Sequence, residues 1–182
     1  MNCPFPRSSI FGASLKRFAL LILCAVIATT LMTACASGTG PIPREPSKLD
    51  ITVDATNAMN LDEKGRAAPM MVRIYELKSK QAFLEADFFS LQTKDKTVLG
   101  EDILQKDEFI LRPGETRKIK RPSMSETTAL GVLAGYRDLP NSQWRVVHEL
   151  PTAPPAAWYK IGNTVKLFLS LESDAIKVTE QK

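Results

Sequence analysis

The chain predicts a mainly β domain, a two-sheet β-sandwich of about eight short strands with a small helical insertion after the second strand. Two features carry this expectation. Between residues 49 and 182, apolar and polar residues alternate in short runs separated by turn signals, the pattern of half-buried sheets. Only residues 80–92 shift to helical spacing. No internal repeat is present.

The elements come in this order. Residues 49–55 alternate with period two and read as the first strand. Residues 56–70 are small and polar, contain Gly65 and Pro69, and read as a long loop. Residues 71–77 are rich in β-formers and make a second strand. Leu84, Phe88 and Leu91 then fall at i, i+4 and i+7 with Phe83 beside them, and Asp87 is a point where the helix divides. Residues 102–111 form a strand, Pro113 and Gly114 a turn, and residues 116–121 a strand with basic residues outward. Residues 128–136 are apolar on both faces and predict a central strand covered from both sides. Gly131 and Gly135 have the spacing of a membrane-helix pairing motif, but the run is far too short to cross a bilayer. Residues 144–150 are the next strand. In residues 164–172, Val165, Leu167, Leu169 and Leu171 point one way and Lys166, Phe168, Ser170 and Glu172 the other. Residues 175–179 close the sheet as an edge strand, where Lys177 and the charged tail discourage further pairing.

The N-terminus is an address. Arg7, Lys16 and Arg17 stand there without any acid, and an apolar run covers residues 18–28 and continues to Met32. At about fifteen residues it is shorter than the roughly twenty of a membrane span. It therefore reads as a secretory signal peptide over residues 1–34, with an uncleaved signal anchor as the alternative. The segment Leu31-Met32-Thr33-Ala34-Cys35 resembles the bacterial lipobox, although Met32 stands where Leu is usual. That resemblance implies cleavage before Cys35, a diacylglycerol on its thiol and an acyl chain on its new amino group. It also implies outer-membrane sorting, since Ala36 replaces the Asp that favours inner-membrane retention. Residues 35–48 then hold the lipidated Cys35 and a tether with Pro41, Pro43 and Pro46, too poor in large apolar residues to pack. The sandwich occupies residues 49–182.

Dividing the chain changes its charge. The signal peptide carries three of the 24 cations and none of the 20 acids, so the rest of the chain has a balance of only +1. That gives no support for nucleic-acid binding, which needs a clustered basic face. Cys3 and Cys24 leave with the signal, so Cys35 is the one thiol left and no disulfide can form within the domain.

Catalytic chemistry is poorly represented. His148 is the single His, which excludes a three-His metal cluster, and it reads as an ordinary strand residue. A triad needs a nucleophile and an orienting partner beside the base, and no Gly-x-Ser-x-Gly or phosphate-binding Gly loop occurs. The pairs Glu101-Asp102 and Asp107-Glu108 read as solvated faces. No metal, catalytic residue or small-molecule cofactor is expected. Trp144, Trp158 and Tyr159 could form a sugar platform, but Trp144 at a strand start and Trp158-Tyr159 after Pro154-Pro155 read better as packing residues. The loop before the second strand is polar yet holds Met59, Leu61 and Met70. A loop of that length on a rigid sandwich is a common place for partner recognition.

Several residues together resemble a known family. They are the lipobox at Cys35, Asn60-Leu61 with Gly65 and Pro69 after it, and Val72-Arg73-Ile74-Tyr75-Glu76-Leu77. Phe83, Ala86-Asp87-Phe88 and Leu91 come next, then Leu99-Gly100, Pro113-Gly114, Tyr136-Arg137-Asp138-Leu139 and Trp144-Arg145. The chain resembles, over essentially its whole length, the TssJ (SciN-like) family of outer-membrane lipoproteins of type VI secretion systems. The resemblance implies a transthyretin-like sandwich with an extra helical element and no enzymatic activity. It implies binding to the periplasmic C-terminal region of TssM, and contact with TssL only indirectly through the membrane complex. The loop between strands 1 and 2 is the implicated contact, which gives Asn60, Leu61, Asp62, Glu63, Lys64, Gly65 and Arg66 as candidate partner-binding residues. The alternative is a lipid-anchored sandwich that binds a sugar or small ligand.

Overall fold

A computed structural model of the chain describes residues 46–150 and 163–181. The expected signal peptide, Cys35, the expected tether up to residue 45 and Trp158-Tyr159 lie outside the described residues. The described residues form eight strands: β1 (Lys48–Ala55), β2 (Met70–Leu77), β3 (Ile103–Leu111), β4 (Thr116–Pro122), β5 (Ala129–Ala134), β6 (Arg145–Glu149), β7 (Thr164–Leu171) and β8 (Ile176–Gln181). They make two four-stranded sheets, ordered β4-β1-β7-β8 and β3-β2-β5-β6. The pairs are antiparallel except β1 with β7, which run parallel with Ile51 beside Leu167.

The period-two alternation in β1 and β7 has a direct cause. Leu49, Ile51 and Val53 of β1 and Val165, Leu167 and Leu169 of β7 face the second sheet, where Val72, Ile74, Leu130 and Val132 meet them. Each aliphatic side chain buried so completely stabilises the fold by about 1.5–3 kcal/mol. β2 and β5 are buried on both faces because helices cover the far side of their sheet. There Tyr75, Leu77, Phe83, Phe88, Leu91, Leu99 and Leu133 form a second cluster. Gly131 marks how closely the insertion approaches: a Cβ there would stand 3.0 Å from both Leu77 Cδ1 and Phe83 Cε1.

The insertion differs from its sequence pattern. It consists of α1 (Gln81–Glu85) and α2 (Phe88–Leu99), so it runs well past residue 92. The division expected at Asp87 is present: Ala86 is extended, and the Asp87 carboxylate accepts the Ser90 N–H at 3.0 Å as the N-cap of α2. That break resets the helical phase. Phe83 is therefore fully buried while Leu84, the first residue of the apparent apolar face, is 39% exposed.

The second half of α2 docks through charge, which conceals it from apolar periodicity. Asp95 accepts from Lys106 Nζ at 2.8 Å and from the Tyr75 hydroxyl at 3.2 Å. Arg73 donates to the Leu91 and Gln92 carbonyls at 2.8 and 2.9 Å, just ahead of Lys94, where the helix breaks its φ/ψ. Burial pushes the Asp95 carboxyl up, but hydrogen bonds from Lys106, the Lys96 amide and Tyr75 outweigh it and hold the group below the usual range. A depressed folded pKa contributes stability that is present above the unfolded value near ~3.9 and lost as pH falls through the folded one. Asp95→Ala is expected to cost about 2–3 kcal/mol at neutral pH, because Lys106 and Tyr75 lose their shared acceptor. The difference from wild type should shrink in acid. Urea unfolding at neutral pH and below pH ~3 checks both parts.

Candidate functional site

Residues 56–69 leave the end of β1 and return into β2. Their base is tied to the sheet. The Thr56 N–H and hydroxyl both donate to the Leu171 carbonyl, at 3.1 and 3.0 Å. Met59 is fully buried in the inter-sheet core and anchors the loop there. The hairpin turn between β3 and β4 packs beneath it, with Gly114 at φ +77° where a Cβ would meet Asn57 Oδ1 at 2.7 Å.

Asn60 fixes the rise of the loop. It is buried, with φ +51°, a left-handed conformation that Asn tolerates better than most residues. Its Oδ1 accepts the Arg137 N–H at 2.9 Å and its Nδ2 donates to the Pro69 carbonyl at 3.3 Å. One side chain therefore joins the two limbs of the loop to the segment after β5. Asn60→Ala should destabilise the domain by about 2–3 kcal/mol, from two lost hydrogen bonds and the left-handed backbone. Asn60→Gly should lose about 1 kcal/mol less, since glycine accepts that backbone freely. Paired thermal or urea melts of the two variants separate the contributions.

The tip is closed by Asp62. Its Oδ1 accepts the Lys64 and Arg66 N–H groups at 2.9 and 2.8 Å, and its Oδ2 receives the Arg66 guanidinium. The main chain closes the same turn, with Asp62 N–H to the Arg66 carbonyl at 3.0 Å and Gly65 N–H to the Asp62 carbonyl at 2.8 Å. Gly65 sits at φ +74°, so the turn requires its missing Cβ. The Arg66 amide and guanidinium hold the Asp62 carboxyl below the ordinary range. The candidates thus divide by role. Asn60, Asp62 and Gly65 shape the loop, Leu61 is half-buried, and Glu63, Lys64 and Arg66 are exposed at the tip.

An open recess of ≈ 610 Å³ lies between this tip and Arg137-Asp138, lined by Leu61, Asp62, Glu63, Lys64, Arg66, Arg137 and Asp138. Arg137 is 54% exposed and reaches toward Asp62 at 3.8 Å. Arg137 and Asp138 are not legible as site residues along the chain, since nothing in their local sequence shows which distant loop they meet. The recess offers guanidinium and carboxylate groups and an apolar patch at Leu61. It holds no thiol, hydroxyl nucleophile or imidazole. It suits recognition of a polar surface segment.

The other candidates fall elsewhere. His148 lies in β6 beside Leu130, with Nε2 3.8 Å from Glu180 Oε2. Asp107 and Glu108 point in different directions: Asp107 pairs with Arg121 at 2.6 Å and Glu108 with Arg73 at 2.8 Å. Trp144 packs edge-on against Phe88 at 5.4 Å with Arg145 over its ring, at the junction of the two clusters rather than on a platform. Among the described residues no His, Cys, Asp and Glu group could hold a metal ion. No described helix is long and apolar enough to cross a membrane.

The loop leaves β1 at Ala55, the opposite end from Lys48, where the chain enters the strand. Lys48 begins the strand and Ala55 ends it, which at about 3.3 Å per residue separates them by roughly 23 Å.

Residues 47–174 match the family described as type VI secretion lipoprotein, VasD, EvfM, TssJ. The T6SS lipoprotein TssJ1 from Pseudomonas aeruginosa is 36% identical with a TM-score of 0.67, over 75% of this chain and 98% of that one. Lip of Serratia marcescens, a membrane-bound component of the type VI secretion system, is 30% identical with a TM-score of 0.67, over 75% and 99%. A chain of a type VI membrane complex shares the fold at 24% identity and a TM-score of 0.60, over 76% and 100%. No curated protein matches the chain. Three quarters of this chain thus spans nearly all of each of these two solved relatives.

Proposed function

The chain belongs to the type VI secretion lipoprotein family, and on that premise we propose that it is an assembly component held at the outer membrane through Cys35. In this role it presents residues 56–69 to the periplasmic C-terminal region of TssM. Family and fold are those of structural lipoproteins with a transthyretin-like sandwich, not of enzymes. The observation that supports the binding role most is the loop itself. It is ordered by Asn60 and Asp62, bears exposed charge at its tip, and stands at the end of β1 opposite Lys48. A loop already held in shape avoids an ordering cost of about 0.5–1.5 kcal/mol per side chain on association. The mechanism is mechanical: a lipid anchor, a tether, and a rigid sandwich that carries a shaped loop to a partner crossing the periplasm.

Calorimetry with residues 36–182 and the TssM periplasmic C-terminal region tests this. The intact domain should bind, and replacement of residues 60–68 by a short Gly-Ser loop should abolish binding while the melting transition persists. Binding that survives the replacement moves the site away from the loop. A sugar-binding role has weaker support, since the recess is open and charged and Trp144 is partly buried against both core clusters, outside the residues that line it.

A further inference from the structure

We propose that the outward face of the β4-β1-β7-β8 sheet, at its tether end, rests on the anionic headgroups of the bilayer that holds the lipid anchor. This rests on the assignment of Cys35 as the anchor. The face is built by register. β1 turns Lys48, Asp50, Thr52 and Asp54 away from the core, since Leu49, Ile51 and Val53 turn inward. Lys120 stands beside Asp50 and Lys118 beside Thr52 on β4, while Lys166 stands beside Asp50 on β7. Neighbouring strands lie about 4.8 Å apart, so these side chains form one compact patch.

The charge along this face is uneven. From the start of β1 to the row of Thr52 it carries Lys48, Lys118, Lys120 and Lys166, with Asp50 the one acid on that stretch of the face among the described residues. Lys120 pairs with Asp50 at 3.0 Å and stays 67% exposed, while Lys118 and Lys166 are exposed and make no ion pair among the described residues. In the loop half, Asp54 accepts from Thr116 and Lys177 is neutralised by Glu172. The chain after the signal peptide has a balance of only +1, so this patch is a local concentration of charge and not general basicity. An apolar contact sits at the same end. Met124 is 45% exposed and adjoins Ser123, whose N–H and hydroxyl are both bonded to Ser47.

Position selects a membrane surface as the occupant. Residues 36–48 link Cys35 to the start of β1 and reach at most roughly 40–45 Å. A short tether keeps the patch at high effective concentration beside the bilayer, so even a weak intrinsic attraction is populated. A lysine near an anionic bilayer contributes about a five-fold factor in partitioning, and the effect decays within a Debye length of ~8–10 Å. Seating this end of the face on the membrane leaves residues 56–69 at the other end of β1, roughly 23 Å along the strand.

Co-sedimentation of unacylated residues 36–182 with vesicles tests the idea. The domain should bind phosphatidylethanolamine vesicles containing phosphatidylglycerol and should not bind phosphatidylcholine vesicles. Lys118→Gln, Lys120→Gln and Lys166→Gln together should lower partitioning by about a hundred-fold, with an unchanged melting temperature. Raised salt should reproduce that loss. Failure to bind the anionic vesicles, or a triple variant that binds as well as wild type, overturns the proposal. Metabolic acyl labelling of full-length protein reads the anchor separately. A labelled Cys35 with a face indifferent to lipid charge sinks this inference alone. An unlabelled Cys35 sinks the assignment beneath it.

Discussion

Cys35→Ser is expected to move the protein from the membrane fraction into the soluble periplasm and to abolish labelling by a palmitate analogue. One acyl chain gives only reversible membrane binding, whereas two or more, each worth about 0.8 kcal/mol per buried CH₂, hold a protein stably. Cys35 is the one thiol beyond residue 34, and no described helix is long and apolar enough to cross a membrane. The basic face adds attraction but no insertion, so it should leave at most a salt-sensitive residue on membranes. Fractionation of cells carrying the variant, with and without a high-salt wash, reads both parts. A variant that stays membrane-bound through the wash would instead identify residues 18–32 as an uncleaved anchor.

Glu76→Ala is expected to cost about 3 kcal/mol or more, a large share of the roughly 5–15 kcal/mol that holds a domain of this kind together. Glu76 is fully buried at the end of β2. One of its oxygens pairs with Arg121 of β4, in the other sheet. The other accepts the Met124 N–H at 2.7 Å and the Thr127 hydroxyl at 2.6 Å, which fixes the crossover from β4 to β5. Removing the carboxylate leaves three donors facing a void. Arg121 keeps Asp107 at 2.6 Å, so the loss falls short of a fully abandoned buried charge. Glu76→Gln keeps the shape and one acceptor and should cost less, about 1–2 kcal/mol. Urea unfolding of the two variants measures the difference; equal stability of Glu76→Ala and wild type would remove Glu76 from any role in joining the sheets.

How legible these features are depends on their range. The strands of residues 164–171 and 48–55 are plain because one face meets the core and the other meets solvent, which writes burial into alternate residues. β5 is plain for the opposite reason, since helices and sheet cover it on both sides. Asp87 is visible as a helix start because capping acts within three residues. The latter half of α2 is not visible, because it docks by Asp95, Lys106 and Arg73 rather than by an apolar stripe. Leu84 misleads for a related reason: its spacing to Phe88 and Leu91 is helical, but the chain is broken between them at Ala86.

The loop shows the same division. Its length, its polarity and its interior apolar residues are apparent along the chain, and so is the lipobox that precedes the domain. These are local patterns, and local patterns need no knowledge of the fold. The parallel pairing of β1 with β7, the sharing of strands between two sheets, and the meeting of Asn60 and Asp62 with Arg137 are of another kind. They join residues tens to more than a hundred positions apart, and a side chain carries no mark of which distant partner satisfies it. The same holds for the lysines of β4 and β7, which become one patch only when β1 is laid between them. The kinds of elements, their order and their inward faces are therefore written in the residues themselves, because burial period and turn chemistry act over a few positions. The partners of those elements and the fixed shape of the loop arise only when the chain packs, because they depend on contacts that close long stretches of sequence.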